Sequence, residues 1–252
     1  MRTLILLAAL ALVTAGCDTD LINETSTSLA SRKVKVVATT TIVADLVRHV
    51  GGERVEVQTL MPAGVNPHRY RATVADVSSF GEADAIFYNG LGLEAKLQHG
   101  LENLETRAVP YAVSDGIGSE RLIRSGGGVD PHVWTDVGLW RLAARRVRDD
   151  LSSLDRANGS VYDDNAAAYD QELAELERWV RARVARVPRG ERVVVSRHPA
   201  FAYFARAYGF RTRTARNAPD ELLTDSLGKR GTSEDSYVGM MRSNVEAIVS
   251  PG

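Results

Sequence analysis

The chain has 252 residues, of which 44% are hydrophobic and 25% charged, an ordinary balance for a soluble globular protein with a sizeable core in one large domain or two lobes. Its Gly, Pro and charge content excludes low-complexity, collagen-like and coiled-coil classes. The net charge is -1; with the basic residues read as forming no block, a nucleic-acid partner held by a basic face is excluded. A single cysteine excludes an intramolecular disulfide and a Cys-rich metal site.

Met1-Arg2-Thr3 precedes an apolar run from Leu4 to Val13 and then Thr14-Ala15-Gly16-Cys17. A positive start, a short hydrophobic stretch and small residues before a break form the pattern of a secretory signal. The run is too short for a transmembrane helix, which needs about 20 apolar residues. Cys17 stands where a small-small-Cys cleavage site ends, which resembles a bacterial lipobox, although Thr14 replaces the usual Leu. Lipidation of Cys17 would hold a soluble domain at a membrane surface. Residues 18–33, polar and rich in Ser, Thr and Asn at the start, read as a flexible tether.

Val34 to Ala38 is a β-branched run, followed by an amphipathic stretch from Ile42 to Val50. Val55 to Leu60 alternates as a strand does. Thr73, with Asp76 three residues on, marks a helix start. Ala85 to Tyr88 is another strand, Glu94 to Leu104 a helix, and Ala108 to Val113 a fourth strand. Strands alternating with helices imply parallel βαβ units and an α/β lobe. Two long helices follow: one carries Trp140, Ala143, Val147, Leu151 and Leu154, the other Tyr169, Leu173, Leu176, Val180, Val184 and Val187, ended by Pro188. Arg192 to Ser196 reads as a strand, Phe201 to Tyr208 as a short helix and Tyr237 to Val249 as a terminal helix.

Three of the five histidines sit in loops beside proline, after a strand or a glycine-rich turn. They are His68 in Asn66-Pro67-His68, His132 in Asp130-Pro131-His132, and His198 in Ser196-Arg197-His198-Pro199. Neutral imidazole is a good ligand for zinc and related ions. Proline restricts its own φ and the residue before it, so such a turn presents the ring with less entropy to lose. Asn66 and Asp130 are placed to accept hydrogen bonds from nearby backbone or ring N–H groups. His49 and His99, on expected helices, read as structural. The three loop histidines are far apart in sequence, so the fold must assemble their site, plausibly between two lobes.

The segments Val36-Val-Ala-Thr-Thr-Thr-Ile42, Pro67-His-Arg-Tyr-Arg-Ala-Thr73, Asp130-Pro-His-Val-Trp-Thr-Asp136 and His198-Pro-Ala-Phe-Ala-Tyr-Phe-Ala-Arg-Ala-Tyr-Gly209 carry a family resemblance. Glu221-Leu-Leu-Thr-Asp-Ser-Leu-Gly228 and Gly231-Thr-Ser-Glu-Asp-Ser-Tyr-Val-Gly-Met240 extend it. In these segments the chain resembles the zinc- and manganese-binding solute-binding lipoproteins of bacterial ABC importers. The resemblance implies an α/β fold of two lobes with parallel sheets, joined by a long rigid helix, with metal bound in the cleft. It implies His68 and His132 as first-lobe ligands and His198 and Asp225 as second-lobe ligands.

The expected organisation is a signal peptide and lipobox over 1–17, a tether over 18–33, a first lobe over 34–160, a connecting helix over 161–188 and a second lobe over 189–252. One departure is expected to matter. Relatives carry further strands and helices between the segments ending at Phe210 and starting at Glu221, whereas here only Arg211 to Asp220 intervene. A βαβ unit takes about 30 residues. The second lobe therefore reads as internally truncated, and Arg211 to Arg216 does not read as a strand of the family.

The expected function is an exported, membrane-anchored or periplasmic binding protein that captures zinc or manganese for an ABC importer permease. It is expected to be a monomer and not an enzyme. The alternatives are a surface adhesin, a remnant that no longer binds because of the truncation, and a zinc hydrolase with three histidines and a bound water. Against the hydrolase, Asp225 would fill the open coordination position. Zinc leads in raw affinity for such a donor set, but the segment from Leu93 to Asp130 contains only His99 and no histidine-rich loop, so both metals stay open.

Overall fold

The computed structural model describes residues 29–97, 106–218 and 222–250. Cys17, His99 and most of the expected tether lie outside them. Leu29, the first described residue, is buried in the main core, and its carbonyl accepts a hydrogen bond from Arg54 at 3.1 Å.

The first lobe is built on β1 (Val34–Ala38), α1 (Thr41–Gly51), β2 (Val55–Thr59), α2 (Val74–Glu82), β3 (Ala85–Tyr88) and β4 (Val109–Ala112). The strands form one sheet in the order β2-β1-β3-β4, every neighbour parallel. This is the α/β arrangement that alternating strands and helices require. Helix α2 begins as expected: Thr73 accepts from the backbone N–H of Asp76, whose carboxylate accepts from that of Thr73. Both would otherwise be unpaired donors of the helix terminus. A short antiparallel hairpin, β5 (Arg124–Ser125) and β6 (Gly128–Val129), turns through Gly126 and Gly127, both at positive φ.

Helices α3 (Val137–Leu154) and α4 (Gly159–Val184) follow. The expected stripe on α4 is buried at Tyr169, Leu173, Leu176, Val180 and Val184, with Tyr162 and Ala166 extending it. At 1.5 Å per residue, its 26 residues span about 39 Å. One hydrophobic core joins α4 to strand and helix residues on both sides of it, from Val36 and Val47 to Phe204 and Met241.

The second lobe contains β7 (Val193–Ser196), α5 (Ala202–Tyr208), β8 (Arg211–Thr214) and α6 (Tyr237–Val249). Gly209 ends α5 in the left-handed region at φ 74°, which suits glycine. Strands β7 and β8 pair in parallel, Val193 opposite Arg211 and Ser196 opposite Thr214. The segment from Arg211 to Arg216, which does not read as a strand of the family, thus carries a parallel strand over Arg211–Thr214. All four side chains of β8 are exposed, so it carries no apolar alternation for a sequence reading to detect. Among the described residues no helix is long and apolar enough to cross a membrane.

Candidate metal centre

His68 lies in the loop after β2, His132 between the β5–β6 hairpin and α3, His198 in the loop after β7, and Asp225 in the segment before α6. Loops at the carboxyl ends of parallel strands are where ligand sites of α/β folds gather. The two Asx-Pro-His turns are built alike: the backbone N–H of His68 donates to Asn66 Oδ1 at 3.0 Å and that of His132 to Asp130 Oδ1 at 3.0 Å. Asp130 also accepts from the His132 ring at Nδ1, 2.6 Å away. Asn66 thus orients a backbone turn, whereas Asp130 orients a turn and a ring.

The fold brings the three histidines and Asp225 together. His132 Nε2 lies 3.2 Å from His68 Nε2 and 2.9 Å from His198 Nε2. Asp225 Oδ1 lies 3.4 Å from His132 Nε2 and 3.8 Å from His68 Nε2, and Oδ2 lies 3.6 Å from His198 Nε2. All four donor groups fall within 4.8 Å of one another. A tetrahedral ion bound by nitrogen at 2.0–2.1 Å has donor–donor edges of about 3.3 Å, and the observed separations bracket that length.

The electrostatics have the same sense. With Nδ1–H directed at Asp130, neutral His132 presents the Nε2 lone pair to His68, His198 and Asp225. Burial opposes a charge on His132, but the hydrogen bond with Asp130 and the adjacent Asp225 carboxylate outweigh it and raise its pKa. Burial lowers that of His198, against the pull of Asp225. Burial would raise the Asp225 carboxyl, yet the adjacent His132, His68 and His198 rings hold it well below the usual carboxylate range. Asp225 Oδ1 is buried without a hydrogen-bond partner. A largely buried carboxylate whose two oxygens face three imidazoles suits a cation.

Other residues that shape the centre were not singled out from the sequence. Asn89, after β3, donates through Nδ2 to the Pro131 carbonyl at 3.0 Å, next to His132. Glu94, wholly buried, accepts from Thr39 Oγ1 at 2.7 Å and from the backbone N–H of Asn89 at 2.8 Å. Its burial raises its carboxyl pKa. Tyr203 of α5 donates through its hydroxyl to the Asp130 carbonyl at 2.8 Å, across the lobes. The sequence signal for the first pair is the turn Asn89-Gly90-Leu91-Gly92, where Gly90, Leu91 and Gly92 all have positive φ. His49 lies away from the centre, stacked on Tyr169 at 4.3 Å between ring centroids.

The family described as zinc-uptake complex component A, periplasmic, matches residues 36–221. The chain belongs to this family. The zinc-binding protein TroA of Treponema pallidum is 33% identical over 275 aligned positions, covering 88% of this chain and 89% of that protein. The manganese-binding lipoprotein MntA of Bacillus subtilis is 30% identical over 288 positions, covering 92% and 93%. The solved structure of periplasmic zinc-binding TroA from Treponema pallidum superimposes with a TM-score of 0.80, at 31% identity, over 86% of this chain and 98% of that one. This family member therefore shares a two-lobed fold with a long central helix, in which its four candidate donors converge.

Proposed function

We propose that this protein is the exported substrate-binding component of an ABC importer and that it captures a divalent transition metal, zinc or manganese, as cargo. The observation that carries this reading is the convergence of His68, His132 and His198 Nε2 with the Asp225 carboxylate. Three imidazoles and a carboxylate fill a four-coordinate site, which suits capture rather than activation of a bound water. Relatives named for zinc and for manganese keep both metals open.

The metal enters between the lobes, displaces protons from the imidazoles and is enclosed by ligands from both lobes. Helix α4, buried along its length against both, limits how far they separate, so release requires the permease. The lipid-bearing residue is Cys17, which would keep the protein at the membrane surface beside its permease, as a monomer.

We also propose that the second lobe is shortened. Among the described residues its sheet has two strands against four in the first lobe. The alignment with MntA extends over 288 positions although the chain has 252 residues, which leaves positions of the relative without a counterpart here.

Calorimetric titration with zinc and with manganese tests the reading, comparing the native chain with His132→Ala and Asp225→Ala. Saturable one-to-one binding that both substitutions weaken is expected. A native chain that binds neither metal contradicts the reading. Retention of metal by Asp225→Ala with hydrolytic turnover would favour a zinc hydrolase.

A further inference from the structure

Asp225 belongs to the second lobe by sequence, and a shortened lobe is a poor platform for a ligand that must be placed within a fraction of an ångström. The segment around Asp225 is nevertheless fixed on both sides, and its contacts have a common source. The Nε1–H of Trp134 donates to the Thr224 carbonyl at 2.9 Å. The backbone N–H of Gly64 donates to Ser226 Oγ at 3.0 Å. The backbone N–H of Leu227 donates to Thr41 Oγ1 at 2.8 Å. The residue before Asp225 and the two after it are thus each tied to the first lobe, at the His132 loop, the loop after β2 and the start of α1. Helix α6 closes the remaining side, where the Asn244 side chain exchanges two hydrogen bonds of 2.8 Å with the backbone of Leu223.

We propose that the first lobe sets the position of Asp225, with Thr41, Trp134 and Ser226 as positioning residues, so that the metal centre survives a second lobe of two strands. This inference rests on the metal-binding reading above. Trp134 links the two halves of the centre most directly. It is two residues from His132, its ring meets the His132 ring edge-on with centroids 5.2 Å apart, and its carbonyl is held by the Tyr237 hydroxyl at 2.7 Å. A shift of the His132 loop is thereby transmitted to the backbone beside Asp225. Trp134, Ser226 and Leu227 are buried, so loss of a partner there leaves a polar group with little access to water.

The test is a double-mutant cycle on the full chain, with manganese alone and zinc alone as probes. Thr41→Val with Ser226→Ala removes two of the three ties and touches no metal donor. Metal binding is expected to weaken by about tenfold in the native background and to change by less than about twofold when Asp225→Ala is already present, because interacting residues are non-additive. Equal loss in both backgrounds, or no loss in either, overturns the inference while leaving the metal-binding reading intact. A native chain that binds no metal, or a His132→Ala variant that binds as well as the native chain, overturns the reading and the inference together. If the double substitution prevents folding, Ser226→Ala alone enters the same cycle with the same criteria.

Discussion

Asp130 Oδ1 accepts two hydrogen bonds from His132, one from its backbone N–H at 3.0 Å and one from its ring Nδ1 at 2.6 Å. One oxygen therefore fixes the turn, the ring orientation and the tautomer. Partners of this kind typically cost about 10- to 100-fold in metal affinity when removed. Asp130→Ala is expected to weaken zinc and manganese binding within that range. Asp130→Asn, which keeps an oxygen acceptor, is expected to lose less. Calorimetric titration gives the order, and an Asp130→Ala variant of native affinity would show that the ring needs no such support.

Metal capture should weaken on acidification. Each imidazole must give up its proton to bind, and the ordinary histidine pKa is about 6.5. His132 is raised above that value and His198 lowered below it, so competition begins at His132 as pH falls. Asp225, held well below the usual carboxylate range, stays ionised throughout. Affinity is therefore expected to begin falling while pH is still above the ordinary histidine value of about 6.5, and to fall further below it. Binding that is independent of pH between about 5 and 8 would contradict histidine ligation.

A second pH effect belongs to the metal-free fold. Burial disfavours the charged form of His49, but its hydrogen bond with and the charge of Asp45, aided by Glu172, raise its pKa from 6.5 to about 9. A folded pKa above the unfolded one means stability that is complete below 6.5 and lost as pH rises through about 9. The unfolding midpoint of the native chain should therefore drop between those values more than that of His49→Gln. Parallel pH profiles for the two would remove His49 from the account.

The connecting helix depends on its buried stripe. Leu173 is fully buried in the main core, and Leu173→Ala is expected to destabilise the fold by about 2–5 kcal/mol. Equilibrium urea unfolding measures this. A loss below about 1 kcal/mol would mean that α4 is not a packed strut.

Much of this architecture is legible in the sequence because its signals are local. Strands β1 to β4, the capping box at Thr73, the stripe of α4 and both Asx-Pro-His turns depend on short spacings that fix a period or a turn. The ties on Asp225 are illegible for the opposite reason. Trp134 and Thr224 are 90 positions apart, Gly64 and Ser226 162, and Thr41 and Leu227 186, so no local pattern records them. Strand β8 escapes because its side chains are all exposed. Composition misled in one respect. The balanced total hides a basic run from Arg178 to Arg216, with Arg181, Arg183, Arg186, Arg189, Arg192, Arg211 and Arg213 among its members and Glu191 its sole acid. Part of that charge is paired within the fold, Arg181 with Glu177 at 2.5 Å and Arg183 with Glu246.

The most direct test of the central claim is thermal unfolding of the chain from Asp18 to Gly252, with and without zinc and manganese. A ligand at 100 times its Kd stabilises the folded state by about 2.7 kcal/mol. The account predicts one cooperative transition whose midpoint rises with metal in the native protein and stays in place in His132→Ala. A midpoint indifferent to both metals, or one that rises equally in the variant, would contradict a metal centre built on His68, His132, His198 and Asp225.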